Sequence, residues 1–372
     1  MTPSNRMKKF WVMFKPVIAL LVVWRSILWL VEGISSFVVP LHTGYIGPIP
    51  WANFDGVLYL KIAEEGYYKF SQAFFPLYPL LIYSANKMAL FPSWINATLI
   101  SLTFFSIGLC LLYTNLYRKD KSWALWTLLF LVTFPTSFFF SAVYTEGLFF
   151  LLSILVYIFA KKKKWLMCGI FGALASATRL FGVLLIIYVF MEYISSKPSK
   201  IKIFDVVSIL LIPLGLISYM VYLYSQHGDP LLFFHLQPLF GANRSGETLI
   251  FLPQVLWRYG KILFTAFFQP TPASYFISAL ELAATLFGYA VLWFGWKNKE
   301  RWSSIVYGIA ALTLPTLTGT FSSMPRYLLS IFPLFLILGK LDNSKVKYAL
   351  LSIFVMLQII LSAMFLQGWF VA

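Results

Sequence analysis

The feature that most constrains this chain is the alternation of apolar runs of about twenty residues with short knots of lysine and arginine. About twenty apolar residues are what a helix needs to cross the hydrocarbon core of a bilayer, and the pattern recurs along the whole length. Charged residues make up only 11% of the 372, against about 25% in a soluble domain. Too little polar surface is left to keep such a fold in water. The expected class is an all-α polytopic membrane protein, a single integral membrane domain over residues 1–372.

The formal charge of +16 does not mark a nucleic-acid partner. Twenty of the 29 Lys and Arg fall in six clusters between apolar runs, the pattern of cytoplasmic loops under the positive-inside rule. The clusters are Arg6/Lys8/Lys9/Lys15, Arg118/Lys119/Lys121, Lys161 to Lys164, Lys197/Lys200/Lys202, Lys297/Lys299/Arg301 and Lys340/Lys345/Lys347. The basic N-terminus, residues 1–15, is expected inside and followed by a retained anchor, since no small-residue cleavage site comes directly after it. Cys110 and Cys168 both lie in apolar runs and read as inert core thiols.

Placing every cluster on one side gives about eleven crossings. The first is Pro16–Val39, and an external segment, 40–91, leads to a second near Trp94–Tyr117. For Arg118 to stay inside, Pro76–Leu90 must lie along the outer face. Two hairpins follow, Ser122–Ser141 with Gly147–Ala160, and Trp165–Ala177 with Leu180–Tyr193. The arms of the second reach only about 20 Å, so its tip at Thr178-Arg179 is expected in a wet recess below the outer surface. A crossing near Ile203–Gln226 precedes a second external segment, 227–272. The last four are Ala273–Trp296, Trp302–Thr320, Tyr327–Gly339 and Tyr348–Gln367, which leaves the C-terminus outside.

Ionisable groups at membrane depth are costly and therefore candidates for function. On this topology Asp55, Glu64, Glu65, Glu146, Asp229, Arg179, Arg244 and Arg326 share the outer side. Asp55 is placed to take a proton from an attacking hydroxyl, or else to cap the helix that Gly56 begins. Glu146 has no compensating charge near it in sequence; it orients a substrate or pairs with Arg179. Arg179 and Arg326 offer planar forks of donors suited to phosphate, unless they snorkel to the interface. Arg244, in a loop, is either a further contact or solvated. Glu64 and Glu65 read as a solvated face, and His227-Gly228-Asp229 as a turn. His42, His227 and His235 lack metal-ligand spacing; no cofactor is expected, and a divalent metal is possible but not indicated.

The residues Trp51…Asp55-Gly56…Tyr59-Leu60…Ile62-Ala63…Gly66-Tyr67, with Phe74-Phe75-Pro76-Leu77-Tyr78-Pro79-Leu80, resemble the first-loop signature of the PIG-V-like mannosyltransferases, enzymes related to GPI mannosyltransferase II. Tyr144-Thr145-Glu146-Gly147-Leu148-Phe149, Thr178-Arg179-Leu180-Phe181-Gly182 and Pro325-Arg326-Tyr327-Leu328 resemble later elements of the same family, in order, from about residue 51 to 335. Two departures are Asn53-Phe54 before the aspartate and Gly147 where serine is usual. The resemblance implies a GT-C glycosyltransferase fold with juxtamembrane helices in the first external loop. It also implies an inverting enzyme that moves mannose or another hexose from a polyprenyl- or dolichyl-phosphate donor to a lipid or glycan acceptor. Asp55 and Glu146 would be catalytic, with Tyr59, Tyr144, Arg179, Arg244 and Arg326 binding substrate. The site of action would be the plasma membrane of a prokaryote or the ER membrane of a eukaryote. Independently, the chain has no glycine fingerprint for a nucleotide donor. The rival readings are a transporter or flippase of lipid-linked substrates and a non-catalytic assembly subunit.

Overall fold

The computed structural model describes residues 3–42, 49–88, 91–197, 200–268 and 272–372, with side chains described for all of these except 3–12, 266–268 and 272–274. The expected Arg6/Lys8/Lys9 cluster therefore lies outside the described side chains. Among the described residues the chain forms seventeen α-helices, six short 3-10 turns and no strand.

Four helices are long and apolar enough to cross a bilayer: Met13–Val38, Ser93–Tyr117, Tyr275–Lys297 and Ser344–Leu366, of 23 to 26 residues. At 1.5 Å per residue they measure about 35–39 Å. A fifth candidate is the pair Ile203–Leu210 and Leu214–His227, bent by 49° at Pro213, whose ring removes a backbone donor and crowds the preceding turn. Four or five candidate spans replace the expected eleven. The difference comes from breaks inside the apolar runs. Lys121–Thr133 stops at Phe134-Pro135, where the residue before proline is pushed out of the helical region. Trp165–Ser176 has 12 residues, and the run after Arg179 divides into a 3-10 turn, Leu180–Leu184, and a helix, Leu185–Ser195. The expected crossing Tyr327–Gly339 is a short helix, Met324–Tyr327, a 3-10 turn and the 8-residue Phe332–Gly339.

Three of the basic clusters meet at one end of this bundle. Buried Glu192 accepts from Lys161 Nζ at 2.9 Å, Arg301 Nη1 at 2.9 Å and Ser303 Oγ at 2.5 Å. It thereby ties together the helices Glu146–Lys161, Leu185–Ser195 and Trp302–Thr316, and Lys340 pairs with Glu300 nearby. From that level the 12- to 16-residue helices rise only about 18–24 Å, well short of the long ones. Their tips define a recess at the opposite end.

Connecting segments cover that end. The first external segment carries Asp55–Glu65 and Leu77–Asn86; the latter, about 15 Å long, is too short to cross. Ala89 and Leu90 of the expected outer-face segment lie outside the described residues. The second external segment holds an unanticipated 17-residue helix, Leu252–Phe268, which buries Val255 and Tyr259 and exposes Trp257.

Close backbone approach depends on glycine at two points that place the recess. A Cβ on Gly147 would stand 2.2 Å from Ser101 O, and one on Gly182 would stand 2.2 Å from the Ala175 carbonyl carbon. Gly147→Ala should therefore destabilise by about 1–3 kcal/mol or more through overpacking. Gly260→Ala, in a helix with open space around it, should be neutral or slightly stabilising. Thermal unfolding of the purified protein in lipid nanodiscs compares the two; equal midpoints would contradict the packing assigned to Gly147.

Candidate functional site

Four ionisable side chains from separate parts of the chain meet at the recess. Asp55 is the first residue of Asp55–Glu65, and no side chain caps that helix. Its carboxylate instead accepts from Arg326 Nη1 at 2.7 Å. The capping role open to Asp55 in sequence is therefore replaced by an ion pair across 271 positions. Arg326 Nε lies 3.8 Å from Glu146 Oε1, and Arg179 Nη1 donates to the same oxygen at 2.5 Å. The charges alternate: Asp55, Arg326, Glu146, Arg179.

Local structure explains how each arrives. Asp55 follows the 3-10 turn Pro50–Ala52, and Val143 N donates to Trp51 O at 3.0 Å. Asn53 Nδ2 donates to Phe365 O at 2.6 Å, while Asn53 O accepts from Tyr144 O–H at 2.7 Å. Phe54, between them, has φ 57°, a backbone conformation that side chains disfavour and that is held only by surrounding contacts. Glu146 begins Glu146–Lys161, where the helix N-terminus favours negative charge. Arg179 sits in the extended link between Trp165–Ser176 and Leu180–Leu184. Arg326 follows Ser323, whose φ of 67° turns the chain into Met324–Tyr327.

Side-chain exposure separates the four. Glu146 is 1% exposed, Arg326 9% and Arg179 10%, whereas Asp55 is 28% exposed. Asp55 is the most accessible of the four. Glu146 Oε2 is buried without a hydrogen-bond partner, and so is Arg326 Nε–H. Unpaired buried polar atoms are costly; Arg326 Nε keeps Glu146 Oε1 at 3.8 Å. Each guanidinium has five N–H donors. Aromatic faces line the cluster: Arg326 stands 5.2 Å from the Tyr144 ring centroid and 5.4 Å from Phe139.

The other sequence candidates distribute as follows. Tyr144 joins the cluster as a ring beneath Arg326 and as a tether to Asn53. Tyr59 is buried, packed edge-on against Phe74 and Tyr78, within the field of all four charges. Arg244 Nη2 reaches Ser322 and Ser323 Oγ at 3.3 and 3.4 Å, beside the cluster but not in it. Glu64 and Glu65 are exposed, Glu65 pairing with Lys61. Gly228, at φ 72°, ends Leu214–His227, and Asp229 bonds His235 and the Leu231 amide, which is the expected turn. Among the described residues no three of His, Cys, Asp and Glu converge as metal ligands.

Several residues were passed over in sequence. Tyr327 is the common neighbour of the cations: its ring centroid is 5.6 Å from Arg179 and 5.7 Å from Arg326, and Arg244 and Asp55 also act on it. Glu32 accepts from Trp51 Nε1 at 2.8 Å, and Arg25 donates to Ser141 Oγ at 3.0 Å. Glu281, buried, bonds Tyr259 O–H. For the last three, a charge inside a long apolar run was the available signal.

An apolar groove of about 580 Å³ runs between Leu77–Asn86, Trp165–Ser176 and Leu214–His227, lined by Pro76, Leu80, Leu174, Ala177, Leu214 and Tyr222 among others. It reaches Ala177, two residues from Arg179. Compared with known proteins, the chain matches no family model and no curated sequence.

The cluster makes a direct prediction about coupling. Removing one partner of a buried ion pair costs about 3–5 kcal/mol, whereas replacing both by apolar groups is often near neutral. Arg179→Met and Glu146→Leu should each lower stability, and the double variant should recover at least about 1 kcal/mol in a double-mutant cycle. Additive losses would show that the two side chains do not interact.

Proposed function

We propose that the chain is a glycosyltransferase that moves mannose or another hexose from a polyprenyl- or dolichyl-phosphate carrier to a lipid or glycan acceptor. One observation carries the reading: a part-exposed carboxylate, Asp55, pairs with Arg326 in an alternating cluster with Glu146 and Arg179, and an apolar groove reaches Ala177, two residues before Arg179. The groove suits the carrier's hydrocarbon tail, and Arg179, two residues beyond its end, suits the phosphate. The Lys161/Arg301/Lys340 end of the bundle lies away from the site, which supports an outer-face location under the positive-inside rule. A GT-C arrangement, in the plasma membrane of a prokaryote or the ER membrane of a eukaryote, belongs to the same reading.

The chemistry follows from the charges. Asp55, paired with Arg326, accepts the proton of an acceptor hydroxyl. The hydroxyl oxygen bonds to the sugar's C1 as the bond from C1 to the phosphate oxygen breaks, and the lipid phosphate leaves with that electron pair. Attack opposite the leaving group inverts C1. Arg179 and Arg326 hold the charge that grows on the phosphate; preorganised donors of this kind stabilise a transition state without reorganising. Glu146 keeps both guanidiniums aimed.

The test is incubation of the purified protein with a panel of polyprenyl-phosphate sugars and a hydroxylated acceptor, following release of lipid phosphate. Asp55→Asn should keep donor binding and lose about 10²–10⁴-fold in transfer rate. Full transfer by that variant would remove Asp55 from the role. A protein that moves the lipid-linked sugar across the bilayer and releases no lipid phosphate would be a flippase instead.

A further inference from the structure

A second cavity, of about 560 Å³, opens in the segment between Leu214–His227 and Leu252–Phe268, walled by His235, Pro238, Arg244, Ser245, Glu247 and Thr248. Gly246 lets two of its walls approach closely. A Cβ there would lie 2.8 Å from both His235 O and Pro238 Cδ, so any larger residue would push the two walls apart. The outer wall is pinned, with Ser245 N donating to Thr318 O at 2.8 Å and Ile250 N to Leu317 O at 2.9 Å. The inner wall rests on the first external segment through Phe240, 5.3 Å from Phe74. His235 is oriented by Asp229, 2.6 Å from its Nδ1. With Nδ1–H donating to that carboxylate, Nε2 remains an acceptor.

Arg244 forms the partition between this cavity and the charged cluster. One side belongs to the cavity wall. On the other, its Nη2 holds the Ser322 and Ser323 hydroxyls and its charge acts on Tyr327. Buried Glu281 also lies in Arg244's field and bonds Tyr259, whose hydroxyl accepts from Phe321 N at 3.1 Å. The turn 320–323 that carries Arg326 is thus held from the cavity side.

The chemistry of the walls selects a ligand class. Donors and acceptors both line the walls, Arg244 and Glu247 bring one charge of each sign, and no Phe, Tyr or Trp is among them. Such a surface matches vicinal hydroxyls rather than a hydrocarbon tail or a strongly charged anion. We propose that this cavity is a carbohydrate-binding site, distinct from the apolar groove, that seats the hydroxylated headgroup of the acceptor; the word acceptor rests on the glycosyltransferase reading, the binding site does not.

Saturation-transfer NMR of the full-length protein in nanodiscs tests it. The probes are methyl α-mannoside, methyl β-glucoside and myo-inositol, with inorganic phosphate as competitor. Ring protons of at least one probe should be saturated by the wild type. Arg244→Ala and Glu247→Ala should weaken binding about tenfold, while Leu80→Trp, which fills the other groove, should not. Thr248→Val, one hydroxyl removed from the wall, serves where Arg244→Ala does not fold. Saturation of no probe, undiminished saturation in the wall variants, or displacement by phosphate would each overturn the site. A protein that binds probes here yet transfers no sugar keeps the site and loses the glycosyltransferase reading. One that transfers sugar without binding them does the reverse.

Discussion

Arg326 is the residue on which the recess depends. Its guanidinium reaches Asp55 on one side and Glu146 on the other, and Glu146 in turn holds Arg179. A guanidinium this deeply buried is costly without such partners, and Asp55 and Glu146 would repel without the cation between them. Alternation of sign therefore makes the four groups mutually dependent. It joins the first external segment, the break between two short helices, a hairpin tip and the turn after Ser323. Those four places are where the apolar runs are interrupted, so the cost of breaking helices and the ion-pair network occupy the same location.

The interruptions also create the space. A helix that continued from Lys121 through Ser141 would fill the volume that the cluster occupies. Pro135 stops it, and the chain crosses the recess in a 3-10 turn whose phenylalanines are all buried. Gly147 and Gly182 then let neighbouring backbones close to contact distance, so that Glu146 and Arg179 emerge at the same level. The apolar groove on one flank and the polar cavity on the other follow from that geometry. One is walled by lipid-like side chains, the other by hydroxyls and compensated charges, and Arg179 and Arg244 mark the two boundaries.

Much of the site was legible in order but not in arrangement. Asp55, Glu146, Arg179 and Arg326 stand out because a charge in an apolar context must be explained, and the short arms around Arg179 pointed to a recessed tip. The pairing of Glu146 with Arg179 was among the sequence readings, but that of Asp55 with Arg326 was not: Asp55 read as a base or as a helix cap. Tyr327 escaped notice because a tyrosine among 71 other Phe, Tyr and Trp residues carries no local signal of the two cations beside it. Arg25, Glu32 and Glu281 did carry a signal, but a single charge in a run of more than twenty apolar residues does not change the reading of that run as a span.

The sequence by itself determined that this is a helical protein with several segments able to cross a membrane, which end of them is basic, and which acids and arginines need partners. These follow from composition and local patterning, properties that each segment expresses alone. The tertiary structure decided how many apolar runs remain whole, that four distant charges converge, and that a groove and a polar cavity flank them. Those outcomes depend on backbone breaks and on side chains hundreds of positions apart, and no local pattern records the distance between them.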